Sequence, residues 1–367
     1  MEKYKIEFFN YPRYYPGTVY EATIKRVSER YLPSVSAIYT FGSKITPGIS
    51  DIDFIMVVDD KSASIPISLR LFLLDKKAKY VVSHPFFFIT KGDMEDIRLI
   101  YPNANFKLVA GKEVSLNKIN TEENRFCELV TSIDLILRHF PRDYLISLSK
   151  NRVDVRELLL RLNALTISFD ALKRGGRKTE PGWDDFYEEI KRVRRTWFTM
   201  DKKGRERILL RLGRSAIHIS IGLTEEFNRL LRRYVYVEGE GVIYRGFQNK
   251  AMFIKNWSRE GATDWVKKKR VYVPLPLEFA ALLSEYSKHK GPVSNYIKRN
   301  LEGNIDFEIK NRALIKKRVD ILNNQALLAN RLKHSHFTAF IDFGYKSNSG
   351  IINKIFNLIK KIKHRKI

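Results

Sequence analysis

One stretch constrains this chain more than any other. An apolar run, Ala37-Ile38-Tyr39-Thr40-Phe41, meets a Gly42-Ser43 turn. After a short spacer, Asp51 and Asp53 open a second apolar run, Phe54-Ile55-Met56-Val57-Val58. Residues two apart on a strand share a face, so the two carboxylates reach one cation together. A Gly-Ser turn lets backbone N–H groups and a hydroxyl approach phosphate oxygens. The stretch predicts two apolar strands whose ends carry a site for a divalent cation and a nucleoside triphosphate. An acidic turn capped by Ser50 is the plainer alternative. It gives no reason for both carboxylates to open so apolar a strand.

The arrangement resembles the DNA polymerase β-like nucleotidyltransferase superfamily. The pattern there is a strand, Gly-Gly or Gly-Ser, a spacer, then Asp-x-Asp or Asp-x-Glu on the next strand. Gly42 and Ser43 match the turn, Asp51 and Asp53 match the metal pair, and Ser50 stands where the family usually has serine. The match covers roughly the first 115 residues. It implies Mg²⁺ or Mn²⁺ on Asp51 and Asp53. Ser43 and the Gly42–Ser43 backbone would lie on the outer phosphates, and Lys44 would add a charge there. The implied reaction moves a nucleoside monophosphate from a nucleoside triphosphate (ATP or another) to a hydroxyl acceptor, with pyrophosphate leaving.

The family also implies a third carboxylate on a later strand, usually the proton acceptor. The strand expected there, His84-Pro85-Phe86-Phe87-Phe88-Ile89-Thr90, carries no Asp or Glu, and Phe87 stands in its place. Asp75 precedes it. Asp93, Glu95 and Asp96 follow, at the start of a helix expected near Gly92. His84 is the nearby group whose ordinary pKa suits proton uptake at neutral pH. Two readings stand side by side. One is an active nucleotidyltransferase. The other is a catalytically impaired protein of that fold, binding nucleotide and a polyanion such as RNA or an anionic membrane surface.

With 367 residues and 44% apolar composition, the chain has material for two or three domains and an ample core. A single cysteine, Cys127, rules out an internal disulfide and fits a reducing compartment. The N-terminus, Met1-Glu2-Lys3-Tyr4-Lys5, does not begin the order of a signal peptide. No apolar run approaches a bilayer's thickness. A cytoplasmic protein is expected, peripheral at a membrane if its tail binds one. Net charge is +26, unevenly spread. Residues 1–118 hold 17 Lys+Arg against 13 Asp+Glu, and the remainder holds 50 against 28. Such a basic field suits a polyanionic partner.

Periodicity predicts α+β architecture in three parts: a nucleotidyltransferase-like mixed sheet with helices (1–118), a helical bundle (119–233) and a basic mixed α/β region (234–367). In the first part, residues 15–31 read as a helix with Tyr20, Ile24, Val27 and Tyr31 on one face. Strands are expected at 36–40, 53–58, 79–82, 86–90 and 106–112, with a helix over 64–77. The second part reads as helical throughout, with helices at 122–140, 153–174, 184–199 and 204–232. The third has a hairpin of Tyr234–Val237 with Val242–Tyr244 around Gly239 and Gly241, a strand at 271–274, and helices at 277–288 and 307–332.

Residues 351–367 place Ile352, Ile355, Phe356, Ile359 and Ile362 on one helical face among lysines and arginines, with no acid. That pattern suits an anionic membrane surface, a nucleic acid, or packing on the protein itself. Arg194, Arg195, Arg205, Arg207, Arg211, Arg214, Arg232 and Arg233, with Trp183, Tyr187, Trp197 and Phe198 nearby, suggest a basic strip with aromatics for stacked bases; an ordinary core under a solvated face is the competing reading. His334 and His336 supply too few ligands for zinc.

Overall fold

The computed structural model describes residues 6–42, 45–59, 74–83, 86–176, 179–238, 242–246, 251–254, 266–267, 270–303 and 305–332. The expected features at Ser43, Lys44, most of 64–77, His84, Gly239–Gly241, His334–His336 and 351–367 lie outside these residues. The architecture is mixed α/β, dominated by helices with small mixed sheets.

The chain opens with β1 (Glu7–Phe9) and α1 (Gly17–Tyr31). Tyr20, Val27 and Tyr31 are buried, as the periodicity requires, and Pro33 turns the helix end into a single 3-10 turn. Then come β2 (Ala37–Phe41), β3 (Asp53–Val58), α2 (Lys76–Val81), β4 (Phe87–Thr90), α3 (Lys91–Glu95) and β5 (Lys107–Gly111). Four strands make one sheet in the order β4-β3-β2-β5. β3 and β4 run parallel, and the other pairs are antiparallel. The expected strand at 79–82 is instead part of α2. Asp75 caps that helix by accepting from the Ala78 N–H at 2.8 Å, and Ala78 and Val81 bury one face.

Strand alternation splits this sheet's side chains between two cores. Ala37, Tyr39, Ile55, Val57, Phe87 and Ile89 join the larger one, with α4 (Thr121–Leu137). Ile38, Phe54, Met56, Val58 and Phe88 join the smaller one, with α1 and α2. α4 begins with a reciprocal cap between Asn120 and Glu123. It stops at Leu137, short of the expected 140. Pro141 follows Phe140, whose backbone is extended (φ −140°, ψ 128°), as the residue before proline prefers.

α5 (Tyr144–Leu148) leads to β6 (Arg152–Asp154), a strand inside a segment expected to be wholly helical. β6 pairs in parallel with β1, burying Val153. The pattern of three residues is too short to read alone; its partner lies more than 140 residues away. α6 (Val155–Arg174), α7 (Trp183–Thr196) and α8 (Lys202–Leu231) complete the helical part.

β7 (Val235–Glu238) and β8 (Ile243–Gly246) are not a hairpin. β8 pairs with β9 (Ala251–Ile254), in a sheet that also holds β10 (Val266–Lys267) and β11 (Arg270–Pro274). After α9 (Leu277–Ser287) and α10 (Pro292–Asn300), β12 (Leu301–Glu302) takes the other edge of β8. β13 (Asp306–Ile309) pairs with β7, setting Phe307 against Val237 and Ile309 against Val235. The helix expected from 307 therefore starts later, as α11 (Arg312–Arg331), after Asn311 in the left-handed conformation (φ 64°). α11 returns to the first sheet. Leu328 and Leu332 complete the smaller core beside Phe88, and the Asn324 side-chain amide donates to Asp93 at 3.0 Å.

A candidate carboxylate site at the end of the first sheet

Asp53 is the first residue of β3 and pairs with Phe41, the last of β2. The strand's alternation puts Asp53 in phase with Ile55 and Val57, whose side chains enter the larger core. Asp51 lies two residues earlier, before the strand begins. Both carboxylates are half-buried, whereas Ile52 between them is buried in the smaller core.

Gly42 closes β2 with φ +119°, a conformation open to glycine. A Cβ there would sit 3.4 Å from Asp53 Oδ2. The turn backbone therefore lies directly against this carboxylate.

A network from distant elements fixes the spacer before Asp51. The Tyr20 hydroxyl donates to the Ser50 carbonyl at 2.8 Å and accepts from the Gly48 N–H at 2.9 Å. The Tyr80 hydroxyl donates to the Gly48 carbonyl at 2.6 Å and accepts from the Arg13 N–H. Gly48 has φ +77°, and a Cβ on it would collide with the Arg13 carbonyl and the Phe198 ring.

Two buried arginines complete the hold. Arg156, from the first turn of α6, donates to the carbonyls of Ile49, Tyr80 and Ser50 at 3.1, 2.7 and 3.1 Å, and its guanidinium lies 3.9 Å over the Tyr80 ring. Arg194, from α7, donates to Ser50 Oγ at 3.0 Å, Thr46 Oγ1 at 3.3 Å and the Leu159 carbonyl at 2.9 Å. Burial lowers the Arg194 pKa to about 10, with the Asp51 charge acting the other way. It stays cationic at neutral pH. Asp51 also accepts from the Ser83 hydroxyl, while the Ile52 N–H bonds the Val81 carbonyl at 2.7 Å.

These anchors were not singled out from the sequence, although the arginines carry a signal. Arg194 follows Phe186, Tyr187 and Ile190 in the buried phase of α7. A charge in an apolar phase is solvated elsewhere or bonded inside. Counting it in a surface strip was wrong, since it is buried. Trp183, Tyr187 and Trp197 are buried as well and belong to the core.

No carboxylate stands on β4. Phe87 pairs with Ile55 on β3 and is buried, its ring 5.3 Å from that of Phe41 and 6.2 Å from that of Tyr101. Three of the other nearby acids are engaged elsewhere: Asp75 caps α2 and pairs with Arg26, Asp93 bonds Thr90 and Asn324, and Asp96 accepts from Asn117. Among the described residues, no three His, Cys, Asp or Glu side chains gather in a metal-binding group.

Tyr101 lies between this aromatic cluster and α4. Its buried hydroxyl has no hydrogen-bond partner. Burial, and then the Asp53 charge, push its pKa well above 10, against the opposing charge of Arg138. Tyr101 therefore stays protonated and is no candidate for a base.

No described helix is long and apolar enough to cross a membrane. No family model, curated protein or solved structure matches the chain.

Proposed function

We propose that the chain is a nucleotidyltransferase that uses Mg²⁺ or Mn²⁺ to move a nucleoside monophosphate from a nucleoside triphosphate to a hydroxyl acceptor. The observation that carries this reading is Asp53 at the opening of β3, its carboxylate against the positive-φ Gly42, with the half-buried Asp51 two residues before it. The four-stranded order β4-β3-β2-β5, with the pair opening an inner strand, supports the nucleotidyltransferase fold for residues 1–118.

The residues present fit a divalent cation shared with a triphosphate. Mg²⁺ is commonly held by one or two carboxylates together with substrate phosphates, and two half-buried carboxylates are what this site offers. Gly42, with its positive φ and no side chain, leaves room for close backbone approach to a phosphate. Bound metal neutralises charge developing on the phosphates. The chain's own part is positional. Tyr20, Tyr80, Arg156 and Arg194 hold the spacer, so that Asp51 and Asp53 need no reordering when substrate arrives.

A second reading has its own observation. Phe87 fills the place of a third carboxylate, and Tyr101 beside it stays protonated. That favours a protein that binds nucleotide and a polyanion without efficient transfer.

Incubation with α-labelled ATP, CTP, GTP and UTP, with Mg²⁺ or Mn²⁺, against RNA, small-molecule and protein fractions of a lysate separates the two. Metal-dependent label that disappears in the Asp51→Asn/Asp53→Asn variant supports transfer. Nucleotide binding without label supports the second reading. Absence of both, from folded protein, removes the nucleotide site.

A further inference from the structure

The charge excess beyond residue 118 has a definite place on α8. From Lys202 to His218 this helix carries six Lys or Arg and one acid, Glu206, which is engaged by the Tyr11 hydroxyl. Lys203, Arg207, Arg211, Arg214 and His218 are all exposed. At ~100° per residue they fall within about 80° of one another around the helix. They run along about 22 Å of its length. The opposite side, with Leu209, Leu212 and Ala216, is buried in the core.

The charges on this face are barely compensated. Glu189 of α7 is shared between Arg211 and Arg192, at 3.2 Å from the latter. The helix starts beside the carboxylate loop: Arg205 donates to the Phe198 carbonyl, and the Phe198 ring packs at Gly48, in the spacer before Asp51.

We propose that the exposed face of α8 is a track for the phosphodiester backbone of a nucleic-acid strand. A straight row of cations matches a row of phosphates. Along an extended strand, about 22 Å spans several consecutive phosphates. A membrane surface fits this helix poorly. Interfacial helices insert an apolar face, and that of α8 is already packed inside the protein. No large aromatic lies exposed in the row, so contacts go to phosphates, and binding is insensitive to base sequence. That the bound strand is also the acceptor rests on the transfer reaction proposed above; the binding does not.

The test uses the full chain and a fluorescein-labelled single-stranded RNA of about 20 nucleotides, longer than the track. Fluorescence anisotropy is followed across a salt series for the wild type and three variants. Lys203→Gln/Arg207→Gln/Arg214→Gln removes three charges from the track. Arg312→Gln/Lys316→Gln/Lys317→Gln removes three exposed charges from α11. Asp51→Asn/Asp53→Asn removes the carboxylates. Circular dichroism confirms that each folds.

The track variant is expected to bind at least about tenfold more weakly in low salt, with a log–log salt slope shallower by about 2. The α11 variant should bind like wild type. The carboxylate variant should bind at least as well as wild type, even if no transfer is ever detected. Unchanged RNA binding by the track variant overturns the proposal. So does an equal loss in the α11 variant, which would make the effect one of net charge alone. Loss of binding to phosphatidylglycerol vesicles, with RNA binding intact, would assign the face to a membrane.

Discussion

The candidate site depends on single residues that set its geometry. Gly42 is one: its φ of +119° strains any residue that carries a side chain. Gly42→Ala should lower stability by about 1–3 kcal/mol and abolish metal-dependent labelling. Thermal melts and the transfer assay report both. Arg194 is another. Lysine there keeps the charge but cannot reach Ser50, Thr46 and the Leu159 carbonyl with one planar fork. Arg194→Lys should cost about 2–3 kcal/mol, because buried acceptors lose their donor, and should weaken Mn²⁺ binding, measurable by calorimetry. Tyr20 links the site to alkaline pH. Burial pushes its pKa up to about 12, above its usual 10. The folded state therefore holds this proton more tightly than the unfolded state. The stability it adds is complete below pH 10 and is lost as pH rises through about 12. Tyr144 shifts the same way, so Tyr20→Phe should reduce, not remove, the fall in melting temperature over that window. An unchanged fall in Tyr20→Phe would contradict this account.

Elements set by local chemistry were legible in the sequence; those set by distant pairing were not. α1, β3 and α9 lie close to where periodicity put them, because an amphipathic helix or an apolar strand carries its own signal. β6 forms because β1 offers it an edge, and β7 prefers β13 to the nearer β8. In those cases the partner, not the segment, decides the structure. The expected strand at 79–82 proved to be the end of α2, whose cap, Asp75, was not recognised as a helix start. The same contrast holds at the site. Asp51, Asp53 and Gly42 were readable from spacing. The holding arginines come from helices 100 and more residues further on, and only a charge in an apolar phase hinted at them. Local signals also predict local effects. The reciprocal cap at the start of α4 is confined to Asn120 and Glu123. Asn120→Ala should cost about 1 kcal/mol in a denaturant melt, without changing transfer or RNA binding.

At the scale of the molecule, the first sheet does not stand alone. One of its faces enters the core that holds α4, and the other meets Leu328 and Leu332 at the end of the described chain. Residues 1–118, expressed separately, would expose the face that packs on α4, lose Leu328 and Leu332 from the other, and lose Arg156 and Arg194 from the carboxylate loop. That fragment should lack near-ultraviolet dichroism and bind a hydrophobic dye, while the whole chain does neither; a well-packed fragment would show that the later helices only decorate the sheet. The return of α11 to β4 also has a consequence in time. During synthesis, β4 is complete some 240 residues before the helix that covers it. At roughly 5–20 residues per second, the sheet waits on the ribosome for roughly 12–50 s with the α11 part of its smaller core, Leu328 and Leu332, missing. The carboxylate loop would gain its two arginine anchors earlier, as α6 and α7 emerge.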